Sequence, residues 1–368
     1  MESPSEYRWP CSQCGAELRY SPGQHELTCD HCGHRQELPE VGRALRAVSL
    51  KEHPLARGLA RDLPQEEIET VRASRCPNCG ALIEFAGAVH ATQCPFCATP
   101  IVTDPDESRR IRPQALIPFQ VDERAAREAL VKWLGRLWFA PNGLLAYTRR
   151  GRAMTGTYVP HWTFDAATRS DYRGERGDVY YVTVEVTVNG KRQTRQQPRI
   201  RWSPASGRVA RDFDDVLVNG STSVPRRLVN AMKSWQLDAL VPYGPDYLAG
   251  FTAEGYTVGL AEANEAAKKL MAEVIERDVR QAIGGDQQRI SSIDTEYSGE
   301  TFKHVLLPLW LAAYRFGGKS YRFIVNGQTA EVQGERPWSV WKIAFAVILA
   351  LVAIGAIAWL GQENGGGF

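Results

Sequence analysis

The spacing of apolar and polar residues outlines the main elements before any chemistry is considered. Between Leu260 and Ile283, Ala267, Leu270, Met271 and Val274 fall on one side at helical spacing. Glu265→Lys269, Glu273→Arg277 and Glu276→Arg280 supply favourable i,i+4 pairs on the polar side, and Gly284-Gly285 stops the run. This predicts a core-packing helix over Leu260–Ile283; a weaker pattern predicts another over Asp122–Trp138. Two stretches read as strands joined by Asn-Gly. The first is Tyr180–Val188, Asn189-Gly190 and Lys191–Trp202; the second is Tyr321–Val325, Asn326-Gly327 and Gln328–Val332. Asn and Gly both tolerate positive φ, so each stretch predicts a hairpin.

The strongest apolar signal is Ile343–Leu360, eighteen residues without a charge or a hydroxyl. Extended back to Trp338 it reaches about 23 residues, close to the ~20 needed to cross a hydrocarbon core. Trp338, Trp341 and Trp359 stand near its two ends, where aromatic belts sit. The pattern predicts a transmembrane helix over 338–360. Lys319, Arg322, Arg336 and Lys342 precede it, and the tail 361–368 has no Lys or Arg. The positive-inside rule then gives a tail-anchored, single-pass protein of the cytoplasmic membrane, with its N-terminal bulk in the cytoplasm and the lipid bilayer as a partner.

The body carries a weak repeat. Each predicted helix precedes a Pro-x-Trp motif, Pro160/Trp162 and Pro308/Trp310, at an offset of 148 residues, and each motif precedes an Asn-Gly hairpin. This suggests a duplication over 111–202 and 245–335; a chance match within a common helix-then-hairpin arrangement is the alternative.

All eight cysteines lie in the first hundred residues, in four Cys-x-x-Cys pairs. Cys11/Cys14 are followed after fourteen residues by Cys29/Cys32, and Cys76/Cys79 after fourteen by Cys94/Cys97. Residues 1–10 lack the basic and apolar regions of a signal peptide, so the thiols are expected in a reducing compartment, as metal ligands. Two turns of this kind place four thiolates around one ion. All four positions are then filled, which suits a closed structural Zn2+ and leaves no position for a catalytic water. The expectation is two structural zinc ions, on Cys11, Cys14, Cys29 and Cys32 and on Cys76, Cys79, Cys94 and Cys97. Mononuclear iron on similar knuckles stays open. His31 and His34 flank the first set and read as surface residues.

The predicted architecture is therefore multidomain. Two rubredoxin-like zinc ribbons (1–38 and 73–103) are joined by a helical linker (39–72, helical around Val41–Ala60). Thr103–Arg110 links them to an α+β body (104–336) with β-hairpins, and the transmembrane helix follows.

Charge narrows the partners. The net charge is +2, and residues 1–110 hold twelve Lys and Arg against sixteen Asp and Glu. Phosphate binding needs excess cations, so the ribbons are poor readers of nucleic acid. Val186–Arg211 differs: Lys191, Arg192, Arg195, Arg199, Arg201, Arg208 and Arg211 occur with no acid among them. Such a patch suits anionic lipid, nucleic acid or an acidic protein, or is simply a solvated face. Gly317-Gly318-Lys319-Ser320 lacks the first glycine of a phosphate loop and reads as a turn. His161 and Asp165 are too far apart along a strand to act as a pair. No catalytic constellation emerges, which argues against an enzyme and a small-molecule substrate.

The tandem knuckles resemble a bacterial family labelled transcription-factor-IIB-type zinc-ribbon proteins, and sometimes mislabelled primosomal protein N′ or helicase. So do Leu306-Leu307-Pro308-Leu309-Trp310…Tyr314, Gly318-Lys319-Ser320-Tyr321…Val325-Asn326-Gly327-Gln328-Thr329 and Gly334-Glu335-Arg336-Pro337. The departure is Ala330 where Gly is common. The resemblance implies membrane anchors working with flotillin-like and phage-shock-protein-A-like partners in envelope stress. Together these readings give a non-catalytic, membrane-anchored adaptor that recruits cytosolic proteins. The alternative is a membrane-tethered nucleic-acid-binding protein.

Overall fold

The computed structural model describes residues 9–38, 50, 52–84, 91–94, 96, 99–102, 106–137, 154–188, 191–316, 319–335 and 339–364. The chain opens with a three-stranded antiparallel sheet, β1 (Leu18–Ser21), β2 (Glu26–Cys29) and β3 (Arg35–Glu37). After β4 (His53–Pro54) and the short helix α1 (Leu55–Leu59), β5 (Ile68–Arg75) pairs with β6 (Leu82–Glu84) on one side and β9 (Asp106–Ile111) on the other. Between them, β7 (Ala91–Gln93) and β8 (Pro100–Val102) form a separate ladder.

The body is built on three long strands. After β10 (Ala115–Leu116) and α2 (Glu123–Gly135) come β11 (Thr155–Val188) and β12 (Lys191–Asn219). Then follow α3 (Arg226–Ala231), β13 (Val241–Pro242), β14 (Thr252–Ala253), α4 (Leu260–Ile283) and β15 (Gln287–Phe316). The chain closes with β16 (Lys319–Asn326), β17 (Val332–Gly334) and α5 (Val340–Asn364). These strands join one nine-stranded sheet in which β11 lies between β12 and β15, both antiparallel. The β11–β15 ladder runs from Thr155↔Leu311 to Gly177↔Gln287, while β11–β12 continues to Val188↔Lys191. Past Gly177 the sheet is therefore a two-stranded ribbon.

The α4 helix occupies the predicted span and stops at Gly284, whose φ of 68° suits glycine. Its buried face is Leu260, Ala263, Ala267, Met271, Ile275, Val279 and Ile283, packed on β11, β12 and β15. Leu270, expected on that face, is 42% exposed. The α2 helix starts where Asp122 accepts a hydrogen bond from the Ala125 N–H at 2.7 Å.

Several expectations are corrected. Among the described residues the protein is mostly β, at 47% strand against 26% helix, not α+β. The cysteines do not sit in two self-contained ribbons: the first group shares a core with the body, and the second is split between two small sheets. Cysteine spacing sets ligand chemistry and leaves the surrounding sheet open. Thr103–Arg110 is no linker in its described part, because β9 adds to the edge of β5. Of the helical linker, only Leu55–Leu59 and a short 3-10 turn at Gln65–Glu67 are helical among the described residues; 39–49 and 51 lie outside them.

The transmembrane, tail-anchored reading is also overturned: among the described residues no helix is long and apolar enough to cross a membrane.

The two Pro-x-Trp segments lie side by side. Val159 opposes Leu307, a pair separated by the repeat offset. The first Asn-Gly, 189–190, lies outside the described residues. The second opens a longer loop: Asn326 accepts from the Gln328 and Thr329 N–H groups, and Ala330 takes φ 60°. Gly317 and Gly318 lie outside the described residues, between paired Phe316 and Lys319.

Candidate metal centre

Three of the cysteine pairs sit on turns with the same backbone. The Gly15 N–H donates to the Cys11 carbonyl at 2.8 Å, Gly33 to Cys29 at 2.9 Å, and Gly80 to Cys76 at 2.9 Å. These glycines have φ of 74°, 74° and 75°, in the left-handed region that a Cβ makes costly. The first cysteine of each turn is held by the residue beyond it: Cys11 N–H to Ala16, Cys29 to His34, Cys76 to Ala81 and Cys94 to Thr99. The turns thereby fix where the sulfurs point.

Two such turns meet around Cys11, Cys14, Cys29 and Cys32, whose sulfurs all lie within 4.8 Å of one another. Cys11 and Cys32 are 3.6 Å apart, and Cys14 and Cys29 are 3.5 Å apart. Cys76, Cys79 and Cys94 form a second group, with Cys79 and Cys94 at 3.5 Å. Cys97 lies outside the described residues. Both groups can hold a metal ion. None of the described cysteines is in a disulfide. His31 is exposed, and His34 meets Ser12 Oγ at 3.2 Å; neither joins the first group.

The crowded sulfurs do not ionise alike. Cys29, which receives the backbone N–H groups of Cys32 and His31, is pulled down to about 6. At Cys32 the His34 N–H lowers the value, but sharing with the Cys14 thiol and burial push it up to about 12.

The inner cysteines are structural parts of the body. Cys11 and Cys29 belong to one apolar core with Leu116, Phe119, Tyr158 and Trp310. Cys76 and Cys94 share another with Val159, Leu228, Leu309 and Ile324. Beside the second group, Glu254 is buried and accepts from Ser221 and Ser223. Burial pushes its carboxyl up to about 8.

Sequence reasoning missed a buried charge cluster on β15. The Lys303 side chain is only 7% exposed, with its ammonium 2.8 Å from Glu52 and Asp215 and 4.0 Å from Asp165. Burial alone would lower its pKa, but hydrogen bonds to Asp215 and Glu52 raise it. The β12 strand bulges opposite Asp165 and β15 opposite the next residue, Ala166, and Asp215 takes a φ of 51° to deliver its side chain. Thr301 Oγ1 donates to Glu52 at 2.6 Å. The Lys303 ammonium serves as the cation for these carboxylates. A lysine inside the apolar run Phe302-Lys303-His304-Val305 was the available signal, since a buried charge needs partners.

His161 and His304 are both buried, each with Nδ1 on a backbone carbonyl, of Val159 and Ile111 respectively. Burial brings each down to about 4, so both are neutral at pH 7.

The basic stretch divides. Arg208 and Arg211 are held in two-pronged pairs by Asp171 and Asp278. Arg192 faces Glu185 at 3.9 Å. Arg195, Arg199 and Arg201 are exposed, and no ion pair involves them among the described residues.

The chain is similar to the uncharacterized protein YdjG of Bacillus subtilis (strain 168). The two are 24% identical over 347 residues, which span 91% of this chain and 92% of that protein. No family model matches the chain, and no solved structure does.

Proposed function

We propose that the chain is a non-catalytic scaffold in which two structural zinc ions fasten the N-terminal modules to the β body, leaving their outer surfaces to dock protein partners. The observation that carries this reading is the burial of Cys11, Cys29, Cys76 and Cys94 within cores shared with the body. Four thiolates bound to zinc at 2.3 Å stand about 3.8 Å apart, close to the spacing of the first group. Such a set admits no substrate water. Metal binding then contributes to the folding of the whole assembly, because each site closes only when the modules are in place. The family resemblance suggests flotillin-like and phage-shock-protein-A-like proteins as partners.

Metal analysis of the purified full chain is expected to give two zinc ions per molecule. Chelation should free eight thiols and lower the thermal midpoint of the body, not only of the N-terminal region. Partners captured by the intact chain should be lost from C76S/C79S. Zinc-free protein of unchanged stability, or capture that persists in the variant, would overturn the reading.

A further inference from the structure

The ribbon formed by β11 and β12 beyond Gly177 has the form of a ligand-seeking arm. The β15 strand ends opposite Gly177, so residues 178–188 and 191–201 pair only with each other. At ~3.3 Å per residue the ribbon reaches about 36 Å past the three-stranded sheet. An isolated two-stranded ribbon is marginal in water, so its length calls for an explanation beyond packing.

Alternation along β12 places Arg195, Arg199 and Arg201 on one face, with Gln193 and Gln197 between and beside them. The facing positions on β11 are Val186, Val184, Val182, Tyr180 and Asp178. Asp178, the single acid on this face, is engaged by Arg176 Nε at 2.9 Å. Nearer the body the same face, at Ala205 and Val209, is covered by Ile283 and its neighbours on α4. The helix ends at Ile283, and the face beyond it is bare.

We infer that this face binds duplex DNA. The arm is cationic although the chain is nearly neutral, and position explains how that local charge can act alone. At physiological salt the screening length is about 8 Å, so acids on the body are not felt at the tip. A two-stranded ribbon fits the ~12 Å major groove of B-form DNA, whereas the deep, narrow major groove of A-form RNA excludes it. Valines on the adjoining strand add apolar contact and no repelling charge.

The test measures binding of the full chain to a fluorescent DNA duplex across a salt series, beside the matching RNA duplex and vesicles of anionic phosphatidylglycerol. The wild type is expected to bind DNA, with affinity falling steeply as salt rises. In R195Q/R199Q/R201Q the slope of log K against log salt should shrink by about 2.7, since each phosphate contact contributes about 0.9. Each single variant should remove about one-third of that. All three side chains are exposed, so unchanged circular dichroism is expected, and the single variants serve if the triple variant misfolds. No binding at low salt, or a slope unchanged in every variant, overturns the inference. Binding to vesicles without binding to DNA assigns the arm to lipid headgroups and also overturns it, as does a preference for the RNA duplex.

Discussion

Replacing Lys303 with methionine isolates the buried charge cluster. Methionine keeps the aliphatic stem and removes the ammonium, leaving Glu52, Asp165 and Asp215 facing one another without a cation. Breaking a buried ion pair from one side costs about 3–5 kcal/mol. The lysine side chain is 7% exposed but its carboxylate partners are 15–31% exposed. Water thus screens part of the repulsion, and a loss of about 3 kcal/mol is expected at pH 8. The pH dependence follows from Asp165. Burial and the neighbouring Glu52 raise its pKa in the folded state. A carboxyl with a raised folded value contributes stability that is complete below its unfolded value and is lost as pH rises through the folded one. Removing Lys303 raises it further, so the penalty should deepen between pH 5 and pH 8. Urea unfolding followed by tryptophan fluorescence at both pH values measures this. A penalty below about 1 kcal/mol, the worth of an exposed pair, or one equal at both pH values, would refute the reasoning. Adding Asp215→Asn should restore part of the loss, because it removes one of the stranded charges.

Two further substitutions probe other parts of the core. Glu254 retains its proton in the folded state up to about pH 8, so wild-type stability should decline as pH rises from about 5 to 8 and level off above that. Glu254→Gln, uncharged throughout, should flatten that decline in thermal melts, and an unchanged slope would remove Glu254 as its source. At Gly156 an added Cβ would meet Phe251 Cδ1 at 2.4 Å and Cε1 at 2.6 Å. Gly156→Ala should cost about 1–3 kcal/mol by overpacking, read as a lower thermal midpoint; no change would show that Phe251 moves freely.

Legibility in the sequence followed how local each cause was. The α4 helix could be read because its periodic face, its ion pairs and its glycine stop lie within one segment. The cysteine groups could be read because ligand type and spacing carry the chemistry. The long sheet could not. The 165–178 stretch of β11 is rich in Asp, Arg and Gly, a composition that does not announce a strand. It is extended because β12 and β15 flank it. The partners of Lys303 were hidden for the same reason: Glu52, Asp165 and Asp215 come from three distant segments. The Thr103–Arg110 segment reads as a linker by its Asp and Pro content, yet the open edge of β5 recruits part of it. The apolar C-terminal run gave the right element, a helix, and the wrong destination. Hydropathy alone fixes no span.

The order of strands also sets a schedule for synthesis. The β11–β12 ladder can close as soon as Asn219 has emerged, since its turn is local. The other edge of β11 must wait for β15, whose far end at Phe316 lies about a hundred residues later. At 5–20 residues per second, that edge stays bare for roughly 5–20 s on each translating ribosome. An unpaired edge of this length is a template for joining another chain. Nascent copies stalled or truncated before β15 should therefore be the aggregating species, and a chaperone that shelters extended edges should matter most within that interval.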